Sequence, residues 1–278
     1  MYQFFVQENQ VMGDSISIFG SDVNHIKNVL RMKQGEKVRI SVLEGKSYFG
    51  AIDRILDDEI VVQIIEEDET GTELSNRIYL FQGLPKGDKM ELIIQKAVEL
   101  GVYKIIPVAM KNCVVKLDAK KSASKVKRWQ AISESAAKQS KRTVIPEITM
   151  PMSWKEALHM AKQLDIVLVP YENERGMQAT REIMQNIQLG QSIGIFIGPE
   201  GGFAETEIEE IAPQNSIFDK EKSETNKISH INAEEQDTKQ EHDLYTKKVY
   251  RISLGKRILR TETAGLATLA MLIFCLDE

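Results

Sequence analysis

Cysteine is scarce in this chain. The 278 residues hold two, Cys113 and Cys275, which allows one disulfide at most and no Cys-x-x-Cys zinc site. That usage fits a reducing compartment, so a cytoplasmic protein is expected. The four histidines, His25, His159, His230 and His242, have no metal-ligand spacing, and no metal is expected. Long apolar runs are missing too. The strongest, Ala264 to Leu276, falls short of the roughly 20 residues that cross a bilayer, so no membrane partner is expected. Met1 to Val11 lacks a basic start followed by an apolar core, so no signal peptide is expected. Three common catalytic loops are absent: Gly-x-Gly-x-x-Gly for dinucleotides, the Gly-x-x-x-x-Gly-Lys phosphate loop and the Gly-x-Ser-x-Gly elbow. Zinc enzymes, P-loop kinases and elbow-type hydrolases all lose ground.

What is present is ordinary in bulk and uneven in distribution. Hydrophobic residues make up 42% and charged residues 28%, the composition of a globular protein with a sizeable core. At about 100–200 residues per domain, the length suits one large domain or two smaller ones. The net charge of −5 argues weakly against a nucleic-acid partner, but it conceals an asymmetry. Lys104 to Arg142 carries eleven Lys/Arg against Asp118 and Glu134, a local net of +9. Asp22 to Arg54 carries seven against four, net +3, and Gln214 to Thr246 has eight acids against four lysines, net −4. Either basic stretch alone reads equally as a solvated helix face.

Periodicity divides the chain. Phe4 and Val6, Ser15–Phe19, Lys37–Leu43, Tyr48–Ile55 and Ile60–Ile65 read as short strands, with a helix from Asp22. They suggest a small β-barrel over residues 1–72, closing in an acidic linker from Glu66. From Arg77, strands alternate with helices: Ile78–Phe81, Met90–Leu100, Lys104–Ala109, Ser124–Ser140, Ile166–Val169, Gln178–Gln185 and Ser192–Ile197. That pattern predicts an α/β domain with a mainly parallel sheet over 73–278. The stretch 214–246 is polar and aperiodic and reads as an insertion. Tyr250–Leu254 resumes as a strand, and Thr263–Leu276 closes as a helix apolar on most faces.

Three glycine-containing turns follow apolar strands: Gly83-Leu84-Pro85-Lys86-Gly87, Gly198-Pro199-Glu200-Gly201-Gly202, and Leu254 through Thr263. In open α/β sheets, ligands bind outside the carboxyl ends of strands. Glycine there lets the backbone approach a ligand closely.

Gly198-Pro199-Glu200-Gly201-Gly202-Phe203, with Ser253-Leu254-Gly255-Lys256-Arg257-Ile258-Leu259-Arg260-Thr261-Glu262-Thr263-Ala264, closely resembles the RsmE family. These are 16S ribosomal RNA uracil-N3 methyltransferases of the SPOUT superfamily. Gln82 to Glu91, Gln95 to Gly101, His25 to Met32 and Gln139 to Arg142 match the same family. The resemblance implies a PUA-like β-barrel followed by a SPOUT-type α/β domain tied in a trefoil knot, and a homodimer. It implies S-adenosylmethionine held by the three turns, through Leu84, Ile197, Gly198, Gly201, Gly202, Leu254, Gly255, Ile258, Leu259, Arg260 and Thr263. The 16S rRNA, in the assembled small ribosomal subunit, would be gripped through His25, Lys27, Arg31, Lys33, Lys138, Lys141 and Arg142.

Methyl transfer from a sulfonium to uracil N3 requires alignment and loss of the N3 proton. Arg142 and Arg260 are candidates for stabilising the uracil anion or holding phosphate, since guanidinium binds in a planar fork. Glu200 and Glu262 are the carboxylates of the motifs. Either could act as base, and Glu262 fits better as a carboxylate in the first turn of the last helix. Two departures stand out. Lys111-Asn112-Cys113 replaces a Glu-Arg-Ser-like segment, and Ala204 replaces a helix-capping serine. A noncatalytic RNA-binding or ribosome-assembly protein, or a methyltransferase for another RNA, is the alternative.

Overall fold

The computed structural model describes residues 1–43, 46–69, 71–174, 176–213 and 249–277. The expected insertion at 214–246 lies outside the described residues. The contacts divide the chain into two units. One is Met1–Glu73 with Ser133–Pro146, the other Leu74–Ile132 with Glu147–Glu278.

In the first unit, β1 (Tyr2–Val6), β2 (Val11–Met12), β3 (Ser15–Phe19), β4 (Lys37–Val42), β5 (Ser47–Ile55) and β6 (Glu59–Glu67) form one sheet in the order β1-β4-β5-β6-β3-β2. The β1–β4 pair is parallel and the others antiparallel. Val38, Ile40 and Val42 alternate along β4, and all three are buried. They join Phe4, Val6, Ile16, Ile18, Ile52, Ile60 and Val62 in a single cluster. A core touched by every long strand requires the sheet to curl round it. Irregular register between β5 and β6, at Phe49/Gly50 and Ile52/Arg54, supplies the bend. This is the curled sheet of a PUA-like barrel.

Two local expectations change. The helix from Asp22 is a short α1 (Ser21–Asn24) that widens into a π turn over His25–Val29. Arg31 then leaves it with a left-handed φ of 54°. The acidic stretch from Glu66 is not a free linker. Glu66 and Glu67 belong to β6, Asp68 is buried 2.5 Å from Arg39 Nη2, and Glu73 pairs with the Arg142 guanidinium. Buried cations demand such partners, and counting charges along a sequence does not reveal which will be buried.

The rest of the chain gives β7 (Arg77–Gly83), α2 (Lys89–Glu99), β8 (Lys104–Ala109), α3 (Ala119–Gln139), β9 (Glu147–Ile148), β10 (Met152–Ser153), α4 (Trp154–Ala161), β11 (Ile166–Pro170), α5 (Gln178–Gln185), β12 (Ser192–Ile197), α6 (Glu205–Ile211), β13 (Val249–Ile252) and α7 (Thr261–Leu276). All belong to the second unit except the end of α3, which begins there and finishes in residues of the first. The strand order is β10-β8-β7-β12-β11-β13 with β9 beside β8, and every pair is parallel. Parallel strands are covered on both faces and read as continuous apolar runs. Ile193, Ile195, Phe196 and Ile197 of β12 are accordingly all buried. Phe81 and Phe196 stack with centroids 4.2 Å apart, and Trp154 meets Phe196 edge-on. Helix α7 packs against α2 and β12 through its buried side, including Leu269 and Leu272, while Phe274 stands 89% exposed.

Candidate active site

Connections leave β7 toward β8 on one side, whereas β12 leads through α6 to β13 beyond β11 on the other. The carboxyl ends of β7 and β12 therefore lie at a topological switch point, where open α/β sheets bind ligands. All three glycine turns are there or at the end of β13. The register Gln82↔Ile197 sets the first two side by side.

The turns are held from behind. Gln82, fully buried at the end of β7, donates Nε2 to Thr261 Oγ1 at 2.8 Å, and Thr261 Oγ1 donates to Gly198 O at 2.6 Å. One relay thus joins all three motifs. Gly83 is a close-approach glycine: a Cβ there would fall 2.7 Å from Pro199 N. On α5, Thr180 Oγ1 donates to Ser253 O at 3.1 Å and accepts from Ser253 N at 3.0 Å, fixing the start of the third turn. Asn112 Nδ2 donates to Gly201 O at 3.1 Å and Gly202 O at 3.3 Å. Buried Glu207 accepts from Lys111 N at 2.8 Å and Ala204 N at 2.9 Å. Its reach back to Ala204 makes half of a capping box; alanine cannot return the other half.

The front of the site is open. Gly202 and Gly255 have left-handed φ of 66° and 102°, and a Cβ at either would meet nothing within 4 Å. Ile258 is 82% exposed, beside exposed Lys256, Arg257 and Arg260, with Leu254 and Leu259 half-buried. Leu84 and Ile197 are buried, and Thr263 is exposed. Backbone with open space before it, next to an uncovered apolar side chain, fits a flat, polar-edged ligand such as an adenine nucleoside.

Glu200 and Glu262 share one cation. Lys89 Nζ lies 3.0 Å from Glu200 Oε1 and 3.3 Å from Glu262 Oε2. The hydrogen bond to Glu200 leads the causes that raise the Lys89 ammonium above its ordinary value. Partial burial works against ionising Glu200, but its own backbone N–H, Lys89 and the Lys86 N–H outweigh it and hold the carboxyl below its ordinary value.

The first unit sorts the other candidates. Arg142 is 3% exposed and gives its Nε and Nη2 to Glu73. Lys138 Nζ lies 3.1 Å from Asp22 and 2.9 Å from Glu134. Lys141 donates to Met1 O at 2.7 Å. Lys27 donates to Leu56 O at 2.9 Å and pairs with Asp57. His25, Arg31 and Lys33 are exposed around the π turn. Thr180 and Glu207 were not singled out by sequence reasoning, and Asn112 stood out only as a departure from the family's pattern. Thr180 has no local signature, whereas Glu207 sits three residues after a helix start and was readable. Among the described residues, no group of three or more His, Cys, Asp or Glu could hold a metal, and no helix is long and apolar enough to cross a membrane.

Known families match both units. An RNA methyltransferase domain matches residues 72–218 and 229–273, and an RNA methyltransferase PUA domain matches 20–65. Fold and site thus define an RNA methyltransferase. Ribosomal RNA small subunit methyltransferase E of Bacillus subtilis is 32% identical over 263 residues, 94% of this chain and 90% of the relative. The protein of that name from Mesomycoplasma hyopneumoniae is 32% identical over 98% of this chain and 99% of its own. The crystal structure of its namesake from Neisseria gonorrhoeae, bound to S-adenosyl methionine, superposes with a TM-score of 0.73 at 28% identity, covering 99% of this chain and 98% of that one. The chain belongs to the RsmE family of RNA methyltransferases.

Proposed function

We propose that this chain transfers a methyl group from S-adenosylmethionine to N3 of a specific uridine in 16S rRNA, acting on the small ribosomal subunit. The observation that carries the reading is the pair of left-handed glycines, Gly202 and Gly255, open in front and braced from behind by the Gln82–Thr261–Gly198 and Thr180–Ser253 hydrogen bonds. Rigid backbone with free approach is what holding a nucleoside requires. Gly198, Gly201, Gly202, Leu254, Gly255, Ile258 and Leu259 would offer backbone and apolar contact, with Leu84 and Ile197 as the packed floor. S-adenosylmethionine supplies an electrophilic methyl on a sulfonium.

The chain's own residues must then align N3 and favour loss of its proton. Exposed Arg260, at the start of α7, is the candidate for holding the developing uracil anion. Glu200, kept ionised beside Lys89, is a poor proton acceptor, because a general base works best with a pKa near the operating pH. We assign Glu200 and Glu262 to loop geometry. His25, Arg31 and Lys33 are the open phosphate contacts. Lys138, through Asp22, and Lys27, through Leu56 O and Asp57, brace the segment that carries them, while Arg142 is engaged by Glu73 and Lys141 by Met1 O. The uncovered Phe274 and Ala270 on α7 fit a homodimer contact. The return from edge strand β13 to Thr261 at the sheet centre fits the crossing a trefoil knot needs. A cytoplasmic setting follows from the substrate.

Gly255→Val tests the reading. A β-branched residue is strained at this φ and fills the approach. Calorimetry should show S-adenosylmethionine binding by the parent chain, unaffected by EDTA, and none by the variant. Mass spectrometry of rRNA from a strain lacking the gene should show one unmethylated uridine, restored by the parent sequence only. Unchanged binding by Gly255→Val, or no missing methyl group, would refute the proposal.

A further inference from the structure

Three charged side chains meet where the three turns meet. Lys89 opens α2 two residues after the first turn, Glu200 lies in the second, and Glu262 lies in the third, where α7 begins. Lys89 Nζ reaches Glu200 Oε1 at 3.0 Å and Glu262 Oε2 at 3.3 Å. Glu200 also accepts from Lys86 N at 3.1 Å, so the second turn grips both the first turn and the start of α2. Glu262 Oε2 is buried and accepts no hydrogen bond among the described residues, which leaves the Lys89 ammonium as the charge that compensates it. Isolated pairs on the surface contribute little. This arrangement differs, because one cation answers two carboxylates from different turns, with side-chain exposures of only 32%, 27% and 15%. Removing it would leave two like charges facing each other, and one of them buried.

We propose that Lys89 is a positioning residue of the cofactor pocket, an ammonium that closes the three turns on one another through Glu200 and Glu262. The inference rests on the S-adenosylmethionine reading above and adds to it the group that sets the pocket's shape. A displacement of the turns by even about 1 Å would spoil the backbone contacts, so the effect reaches the ligand although Lys89 need not touch it.

The test uses the full chain with Lys89→Met, Lys89→Arg and the neutral triple variant Lys89→Met/Glu200→Gln/Glu262→Gln. S-adenosylmethionine affinity is measured by calorimetry without RNA, and the thermal midpoint is measured alongside. Lys89→Met should weaken binding about tenfold or more, with the midpoint moved by only a few degrees. Lys89→Arg should return to within about threefold of the parent, because the charge is kept. The triple variant should bind better than Lys89→Met, because no carboxylate is left unanswered. Binding by Lys89→Met within about twofold of the parent would overturn the proposal. So would an equal loss in Lys89→Arg, which would assign the effect to shape rather than charge. Should Lys89→Met not fold, Glu262→Gln removes one arm and should still weaken binding about threefold; no weakening there overturns the proposal as well. A parent chain that binds no S-adenosylmethionine would sink the cofactor reading itself and this inference with it.

Discussion

In the first unit, Arg39 and Arg142 are sunk among the strands and answered by Asp68 and Glu73; in the second, Lys256, Arg257 and Arg260 stand exposed beside open backbone. Both regions are basic in sequence, yet the first turns part of its charge inward and keeps His25, Arg31 and Lys33 exposed around the π turn, whereas the second presents Lys256, Arg257 and Arg260 all outward. Of the eleven cations between Lys104 and Arg142, Lys104, Lys121, Arg128, Lys138 and Arg142 all face carboxylates, some of them far away in the sequence. A local net of +9 therefore overstates what a phosphate would meet. Charge attracts a polyanion only where the fold has not already neutralised it.

The largest expected effect tests the inward half of this contrast. Arg39→Met takes away the cation paired with Asp68, whose side chain is fully buried. Breaking a buried pair by removing one partner costs about 3–5 kcal/mol. Denaturant unfolding should show that loss in the first unit, while S-adenosylmethionine affinity, measured where the variant is folded, stays within about twofold of the parent. A variant as stable as the parent would mean that Asp68 is compensated elsewhere and that the contrast is drawn wrongly.

A smaller effect separates Arg142 from Arg31. Glu73 is 25% exposed, so it can recover water when Arg142 is removed. Arg142→Ala should cost about 1.5–3 kcal/mol, the range for a hydrogen bond to a charged group. The salt dependence of its binding to small-subunit rRNA should match the parent's. Arg31→Ala should do the reverse, leaving stability nearly unchanged and lowering the salt slope by about one. A reduced slope in Arg142→Ala would show that its guanidinium leaves Glu73 for phosphate in the complex, and would restore it to the RNA-contacting set.

Much of this was legible in the sequence. The period of two in Val38, Ile40 and Val42 marked β4, and the run Ile195-Phe196-Ile197 before Gly198 marked a buried parallel strand with a ligand turn at its end. The three turns could be located singly, but not joined. Gln82 and Thr261 are 179 residues apart, and Thr180 and Ser253 are 73 apart; a hydrogen bond across such a distance leaves no periodic trace. The same holds for Ser133–Pro146, which joins the first unit through Arg142 and Glu73 although its chain neighbours belong to the second. Helix α4 is a different kind of omission. Ser153 and Glu156 form a reciprocal capping box at its start, a signal that three-residue spacing does carry.

The smallest effect concerns the same device where it is incomplete. At α6 the cap residue is Ala204, with φ −74° and ψ 150°, the extended geometry that a capping residue needs. Glu207 already supplies its half, accepting from Ala204 N at 2.9 Å. Ala204→Ser would need no change of backbone. The added hydroxyl could accept the Glu207 N–H, which now reaches only Ala204 O, at 3.0 Å, across a tight three-residue turn. The gain should be about 0.5–1 kcal/mol, at the lower end of the range for such caps because Glu207 is already anchored by Lys111 N. A rise of roughly 1–4 °C in the melting midpoint is expected for a unit of this size. S-adenosylmethionine affinity should not fall, because Ala204 lies behind the turn that Asn112 and Glu207 brace rather than on its open side. An Ala204→Ser chain that melts no higher would mean that Glu207 and Lys111 already fix this helix start, and a loss of affinity would move residue 204 from the brace to the pocket.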